Sequence, residues 1–153
     1  FVPTGNSAGE MRIITWPGGR WYEVGLTPDN NLYQVASLTL KTQLPNNPGG
    51  FAYVPAGSPG FPSARVIVAE WVAGDPILDR VATYAIDAEG DPIPSSRDEF
   101  LTKITRPWGA YFEEVTGDYL FLQWDPSDSQ PDHVYLVQGF VPPPDTPPPP
   151  PAE

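Results

Sequence analysis

The chain has 153 residues, of which 40% are hydrophobic and 12% aromatic, which is enough for one domain with its own core. Nineteen acidic and eight basic residues give a net charge of -11, which disfavours binding to nucleic acid and to anionic membranes. The lack of cysteine excludes disulfides, thiol catalysis and thiolate metal sites, and no apolar run approaches the roughly 20 residues that span a bilayer. Cations, carbohydrate and other proteins remain as partners.

An N-terminal arm of residues 1–9 precedes three predicted strands. Residues 10–16 alternate in hydrophobicity and are followed by the breaking sequence Pro-Gly-Gly at 17–19. Residues 21–26 and 31–40 are rich in β-forming side chains and flank Thr-Pro-Asp-Asn at 27–30, which is strong turn chemistry. We therefore predict a hairpin over residues 21–40.

The middle of the chain predicts further strands separated by Pro-rich and Gly-rich loops. Residues 44–50 and 55–62 read as loops around a short strand at 51–54. The next segment, 65–72, is apolar at four consecutive positions, which indicates a strand in a sheet that is covered on both faces. Residues 80–87 follow as another strand, with a turn at 88–92.

Residues 96–105 are compatible with two structures. Residues 96–99 fit a helical capping box, and the apolar residues at 100, 101 and 104 have helical spacing. The β-branched residues at 102, 104 and 105 favour a strand instead. We favour an edge strand with Lys103 and Thr105 pointing to water.

The segment from 108 to 140 contains three apolar or aromatic runs, separated by Thr-Gly-Asp at 116–118 and by an Asp/Ser/Pro loop at 125–132. This spacing is typical of antiparallel strands joined by one tight turn and one longer loop. It also resembles an earlier part of the chain. Residues 109–112 match 51–54, residues 119–124 match 66–71, and Trp71 and Trp124 are 53 residues apart, as are Val81 and Val134.

Residues 21–36 read as a third, partial copy of this unit. A period of ~40–50 residues with about four short strands is typical of β-propeller blades, while a generic β-sandwich is the alternative. We therefore predict an all-β domain over residues 10–141, built from two to three antiparallel propeller-like blades. Because closed propellers use at least about four blades, this domain would be incomplete by itself or a fragment of a longer propeller.

The segments GFAYVPAGSPGF, VIVAEW, YAIDAEGDPIP, TGDYLFLQW and VYLVQGF resemble the closing blades of propeller-like bacterial exported proteins, many of which end in a PEP-CTERM sorting signal. They are also similar to the NHL/gluconolactonase-like propellers. The resemblance covers roughly residues 10–141 and implies a periplasmic or extracellular location. The chain departs from the family pattern at its end, which carries prolines instead of a sorting helix and a basic end.

The resemblance includes metal-dependent lactonases, which hold a divalent cation with Glu, Asn and Asp. Glu70 is the best-placed candidate here, with Asn31 and Asp118 at other strand starts, although a carboxylate paired with an arginine is the simpler interpretation of Glu70. The acidic loop that contains Asp125, Asp128 and Asp132 is a second candidate, for calcium. Neither this loop nor the cluster at 87–91 matches the spacing of a calcium loop, so we expect no metal or other cofactor. His133 is the single histidine and is expected to be structural.

Residues 142–153 form a proline-rich tail, which favours polyproline II structure. Prolines stack on aromatic rings, so tail and aromatic side chains together suggest protein binding. The residues expected to bind a partner are Pro143, Pro144, Pro147, Pro148, Pro149, Pro150, Trp108 and Trp124. We expect a non-catalytic extracytoplasmic assembly module that binds other protein chains, or copies of itself, through its sheet edges and tail. The alternatives are a lactonase-like hydrolase and a carbohydrate-binding module.

Overall fold

The computed structural model describes residues 1–3, 5–72, 79–113, 115–124 and 131–141. Within these ranges the chain forms ten strands and one short 3-10 helix at Pro94–Ser96, with no α-helix and no helix that could cross a membrane. The strands are β1 (Met11–Ile14), β2 (Arg20–Asp29), β3 (Leu32–Gln43), β4 (Asn47–Val54), β5 (Arg65–Trp71), β6 (Arg80–Ala85), β7 (Asp98–Leu101), β8 (Pro107–Glu113), β9 (Asp118–Gln123) and β10 (His133–Val137). The predicted all-β class is confirmed for this part of the chain.

The strands form three antiparallel sheets, each made of strands that follow one another in the sequence. Sheet 1 is β1-β2-β3, sheet 2 is β4-β5-β6-β7 and sheet 3 is β8-β9-β10. No closed barrel or propeller is formed by the described strands. Because each sheet is a simple meander, the domain is held together by packing between sheets and not by strand exchange.

Sheet 2 is the middle layer and has a core on each face. Val66 and Val68 of β5 pack with Trp21 of sheet 1, whereas Ile67, between them in the sequence, packs with Tyr119 of sheet 3. Alternate residues of a strand point to opposite faces, so a strand covered on both sides must be apolar at every position. This confirms the burial predicted for the apolar run in β5. Each of these side chains contributes roughly 1.5–3 kcal/mol on burial.

The predicted positions of two loops are wrong. The β2–β3 hairpin turns at Asn30 and Asn31 instead of at 27–30, and Pro28 pairs with Tyr33 inside the ladder. Asn30 has a φ of 55°, a left-handed conformation that asparagine tolerates well, so it sets the turn. The predicted loop at 44–50 is also shorter, because β4 already begins at Asn47 and pairs there with Trp71.

The ambiguous segment 96–105 contains a strand, as favoured. β7 forms the edge of sheet 2 beside β6. The Ser96 hydroxyl does not cap a helix. It donates a hydrogen bond to the Ile93 carbonyl (2.7 Å) and accepts one from the backbone N–H of Ala85 (2.8 Å), which ties the turn before β7 to the end of β6. Lys103 and Thr105 are exposed beyond the end of the strand.

Sheets 2 and 3 contain the same unit with the same strand register. Glu70 pairs with Arg80 in sheet 2, and Gln123, 53 residues later, pairs with His133 in sheet 3. The first strand of the unit is related by 59 residues, since Ala52 pairs with Ile67 and Tyr111 pairs with Leu120. The predicted match of 51–54 with 109–112 is therefore wrong by one residue. Ten residues separate β4 from β5, but only four separate β8 from β9.

Replacing Tyr119 with Phe is expected to raise the free energy of unfolding by about 1 kcal/mol. The Tyr119 ring is fully buried, and its hydroxyl has no hydrogen-bond partner among the residues described. Burial also raises the pKa of Tyr119 above its ordinary value of 10.0. The folded state therefore resists loss of the phenol proton, and the stability of the wild-type protein falls as the pH rises above 10. Urea unfolding between pH 8 and 11 checks both effects.

The Phe variant should lose less stability than the wild type above pH 10. Tyr33→Phe is the matched control, because Tyr33 is 70% exposed and its substitution should change the free energy of unfolding little. A Tyr119→Phe variant that is less stable than the wild type at pH 8 would contradict the prediction.

Candidate functional site

Glu70 lies on the face of β5 that points toward sheet 1, and it is fully buried. Its carboxylate accepts hydrogen bonds from Arg97 Nη2 (2.7 Å), Asn46 Nδ2 (2.9 Å) and the Tyr84 hydroxyl. The bonds to Glu70 raise the pKa of Arg97. Burial, and then the bond to Glu70, raise the pKa of Tyr84. In this arrangement Glu70 is the acceptor of a buried ion pair, the simpler of its two interpretations.

A second buried ion pair connects sheet 1 to the loop after β6. Asp91 Oδ1 accepts hydrogen bonds from Arg12 Nε (2.7 Å) and from Trp21 Nε1 (2.9 Å), and Lys41 Nζ lies 3.6 Å from Oδ2. Burial alone would lower the pKa of Arg12, but the bonds to Asp91 and Glu10 outweigh it and raise that pKa. Arg12 and Asp91 are 79 residues apart, so only the packing of sheet 1 on sheet 2 brings them together.

The other predicted metal candidates are dispersed. Asp118 lies at the start of β9 and accepts a hydrogen bond from the Thr116 hydroxyl (2.8 Å), while Asp132 is exposed just before β10. Asp125 and Asp128 lie outside the described residues. His133 is exposed at the start of β10, with its ring 6.1 Å from that of Tyr135. Among the residues described, no group of three or more His, Asp or Glu could hold a metal ion.

Four tryptophans meet at one end of the domain and connect all three sheets. Trp16 follows β1, Trp71 ends β5, Trp108 is in β8 and Trp124 follows β9. The ring centroids of five of the six pairs lie 5.3–5.9 Å apart, and the Trp71 indole also donates a hydrogen bond to the Pro107 carbonyl (2.7 Å). The sequence predicts Trp108 and Trp124 as partner-binding residues. It does not place Trp16 and Trp71 on the same surface.

β4 and β8 approach closely beside this tryptophan cluster. A Cβ atom on Gly50 would lie 2.7 Å from the backbone of Gly109, so only glycine fits at this crossing. The close approach places Trp108 against Trp71. Trp16, Trp108 and Trp124 line an open groove of about 290 Å³ with Leu122, Gln123 and Asp132. Trp16 is 49% and Trp124 39% exposed, so the groove offers aromatic faces to a ligand.

The two outer sheets also present apolar faces to solvent. By strand register, the outer face of sheet 1 carries Met11, Ile13, Tyr22, Val24, Leu38 and Leu40, of which Leu38 and Leu40 are exposed and Val24 is buried. The outer face of sheet 3 carries Tyr111, Leu120, Leu122, Val134 and Leu136. Arg20 lies at one end of the sheet 1 face and the Glu113–Asp118 pair at one end of the sheet 3 face, but the central positions of both faces are apolar, although solvent-facing positions of antiparallel sheets are normally polar.

Strand β3 is the most exposed apolar element. It forms the free edge of sheet 1, and its residues Leu32, Tyr33, Val35, Leu38 and Leu40 are between 53% and 73% exposed. The sequence predicts this strand but not its exposure, because the strand pattern alone does not show which sheet covers it. The predicted proline-tail contacts of Pro143, Pro144 and Pro147–Pro150 lie outside the described residues.

A scan against family models, a search of curated proteins and a search of solved structures gave no match to this chain. Its function is therefore argued from the exposed strand β3, the two outer faces and the tryptophan groove.

Proposed function

We propose that this chain is a non-catalytic structural module that binds other protein chains and serves as a subunit of a larger assembly. The observation that carries the proposal is strand β3, a 12-residue edge strand whose large apolar side chains face solvent. A patch of this kind on a soluble protein marks a surface that is covered in use.

Both the backbone and the side chains of β3 favour the binding of another protein chain. As an edge strand, β3 pairs with β2 on one side and presents its other side as a template for a further strand. Natural edge strands are usually short or carry charged residues, which prevents unwanted pairing. β3 is long and has a single charged residue, Lys41, near its end. Its backbone can add a partner strand while its apolar side chains bind the partner's surface.

We also propose a propeller-like fold and a location outside the cytoplasm. We take the three stacked sheets as propeller-like blades, supported by the shared register of sheets 2 and 3 and by the face-to-face packing of consecutive sheets. Placement outside the bacterial cytoplasm rests on the resemblance of residues 10–141 to exported propeller proteins.

The tryptophan groove supports a second candidate function, carbohydrate binding. Sugar rings stack on exposed indoles, and Gln123 and Asp132 supply polar groups beside Trp124. A change in tryptophan fluorescence on titration with oligosaccharides, absent in Trp124→Ala, would favour this function over protein assembly.

The assembly proposal predicts that a charge on the apolar side of β3 releases the chain from its complex. We expect the tagged protein, isolated gently from its native host, to have a mass well above the 16.7 kDa of the single chain. Val35→Lys should return it to the mass of the single chain, because a lysine buried in an apolar interface is strongly unfavourable. Light scattering after size exclusion measures both masses.

Gln34→Lys is the matched control. Gln34 is the neighbouring residue on the opposite, polar side of β3, so its substitution should leave the complex intact. If the Val35 and Gln34 variants have the same mass, or if the wild type is isolated from its host as a single chain, the assembly function is excluded.

A further inference from the structure

The register shared by sheets 2 and 3 determines which faces of the two sheets are equivalent. Residues 53 apart in β5 and β9 hold the same ladder position, so their side chains point to the same relative face. Val66, which faces sheet 1, corresponds to Tyr119, which faces sheet 2. Ile67, which faces sheet 3, corresponds to Leu120, which faces outward. The two sheets are therefore stacked in the same orientation, like successive units of a repeat.

It follows that the outer face of sheet 3 corresponds to a face that is buried in sheet 2. Ala52 and Val81 of sheet 2 are at most 8% exposed because sheet 3 covers them. Their equivalents in sheet 3, Tyr111 and Val134, are 58% and 66% exposed. Sheet 3 thus repeats the covered surface of sheet 2 without the sheet that would cover it.

The side chains on this outer face are suited to burial and not to water. Ala69 and Thr83 of sheet 2 are replaced at the equivalent positions by Leu122 and Leu136, which are larger and more apolar. A face that simply ended the stack would gain solubility from polar residues at these positions, as terminal units of repeat proteins do. The composition of the face therefore indicates that another sheet packs on it.

The described strands offer one other outward sheet face of this kind, the outer face of sheet 1. Its central positions are also apolar, with Arg20 at one end, and it lies at the opposite end of the stack. Because sheet 2 separates sheets 1 and 3, one copy cannot bring its own two outer faces together. Two copies can do so.

We propose that the outer face of sheet 3 in one copy packs on the outer face of sheet 1 in a second copy, so that the chains associate head to tail. The inference rests on the proposed assembly function and names its partner as the chain itself. Such an interface joins two different surfaces, so it leaves one face of each kind free and continues into a closed ring or an open filament.

The tryptophan cluster supports the same geometry. Trp71 crosses from sheet 2 to sheet 3, where its indole donates to the Pro107 carbonyl. Trp124 follows Trp71 by 53 residues and lies at the equivalent end of sheet 3, where it is 39% exposed. In a head-to-tail assembly Trp124 reaches the next copy as Trp71 reaches sheet 3. Its fluorescence should therefore shift to shorter wavelength as the chains associate.

The test uses two variants of the full chain, each with one outer face blocked. Leu38→Glu places a charge on the outer face of sheet 1, and Val134→Glu places one on the outer face of sheet 3. Both sites are more than half exposed on edge strands, so the variants should fold, and circular dichroism checks this. Measurements at 0.3 M salt, where the Debye length is below about 8 Å, limit repulsion between chains of net charge -11.

Wild-type protein purified alone should increase in mass with concentration beyond two copies. Each variant alone should remain a single chain, with association weakened about 30-fold or more. An equimolar mixture of the two variants should stop at a 1:1 pair, because the mixture retains one intact face of each kind. Analytical ultracentrifugation distinguishes these states.

Three outcomes would overturn the inference. A wild-type chain that stays a single copy at all concentrations excludes self-association, while the complex isolated from the native host still tests the assembly function separately. A variant that forms a dimer by itself shows that like faces pair. A mixture of the two variants that does not associate shows that the two outer faces do not bind each other.

Discussion

Replacing Asp91 with Ala should lower the free energy of unfolding by about 3–4 kcal/mol, the largest effect expected of any substitution away from the hydrophobic cores. The Asp91 carboxylate is buried and accepts hydrogen bonds from Arg12 and from the Trp21 indole. Without it, the guanidinium of Arg12 keeps, among the described residues, only Glu10 and the distant Glu23 as counter-charges, and both of these carboxylates are partly exposed. Urea unfolding monitored by tryptophan fluorescence measures the change.

Two further variants isolate the cause. Asp91→Asn keeps an acceptor for both donors but removes the charge, so its stability should lie between those of the wild type and the Ala variant. Asp98→Ala removes an exposed aspartate from edge strand β7 and should change stability by less than about 0.5 kcal/mol. Equal losses for the Ala variants at 91 and 98 would show that the Asp91 ion pair contributes nothing.

Arg97→Met is expected to lower the free energy of unfolding by about 3 kcal/mol. The substitution leaves the Glu70 carboxylate fully buried, with the neutral donors Asn46 and Tyr84 and with no counter-charge from the part of the chain that the structure describes. Urea unfolding at pH 7 measures the change.

The matched control is Arg20→Met, the same change at an exposed position of β2. Its unfolding free energy should stay close to that of the wild type at pH 7. The expectation for Arg97 fails if its variant is as stable as the Arg20 variant at pH 7. The double variant Arg97→Met/Glu70→Leu should recover stability, because two apolar side chains can replace a buried ion pair at little cost.

The local features of the fold could be predicted from the sequence because they depend on local chemistry. Alternating apolar residues and Pro-Gly turns located most strands, and the apolar run of β5 indicated burial on both faces. The position of the β2–β3 turn was predicted wrongly because two neighbouring pairs of residues both favour a turn. Pro28 and Asp29 suggested a turn, but Asn30 and Asn31 form it, since a two-residue turn allows the longer ladder of β2 and β3.

The candidate sites were less predictable because they depend on contacts between distant segments. Glu70 stood out as an acid in an apolar strand, but its partner Arg97 lies 27 residues away beyond the 3-10 helix. Likewise, the sequence shows the 53-residue repeat as similar residues at a fixed spacing. Only the strand register showed that the repeat places a normally buried face on the surface.

The construction of each sheet from consecutive strands also bears on how the domain forms and grows. Every strand pairing closes a short stretch of chain, so each meander can form early, at low loop-closure entropy and without waiting for distant segments. The docking of finished meanders then completes the cores. A fold of this kind can gain a sheet by duplication, or lose one by deletion, without a change in the connections of the other sheets. A new sheet needs only an uncovered apolar face on which to pack.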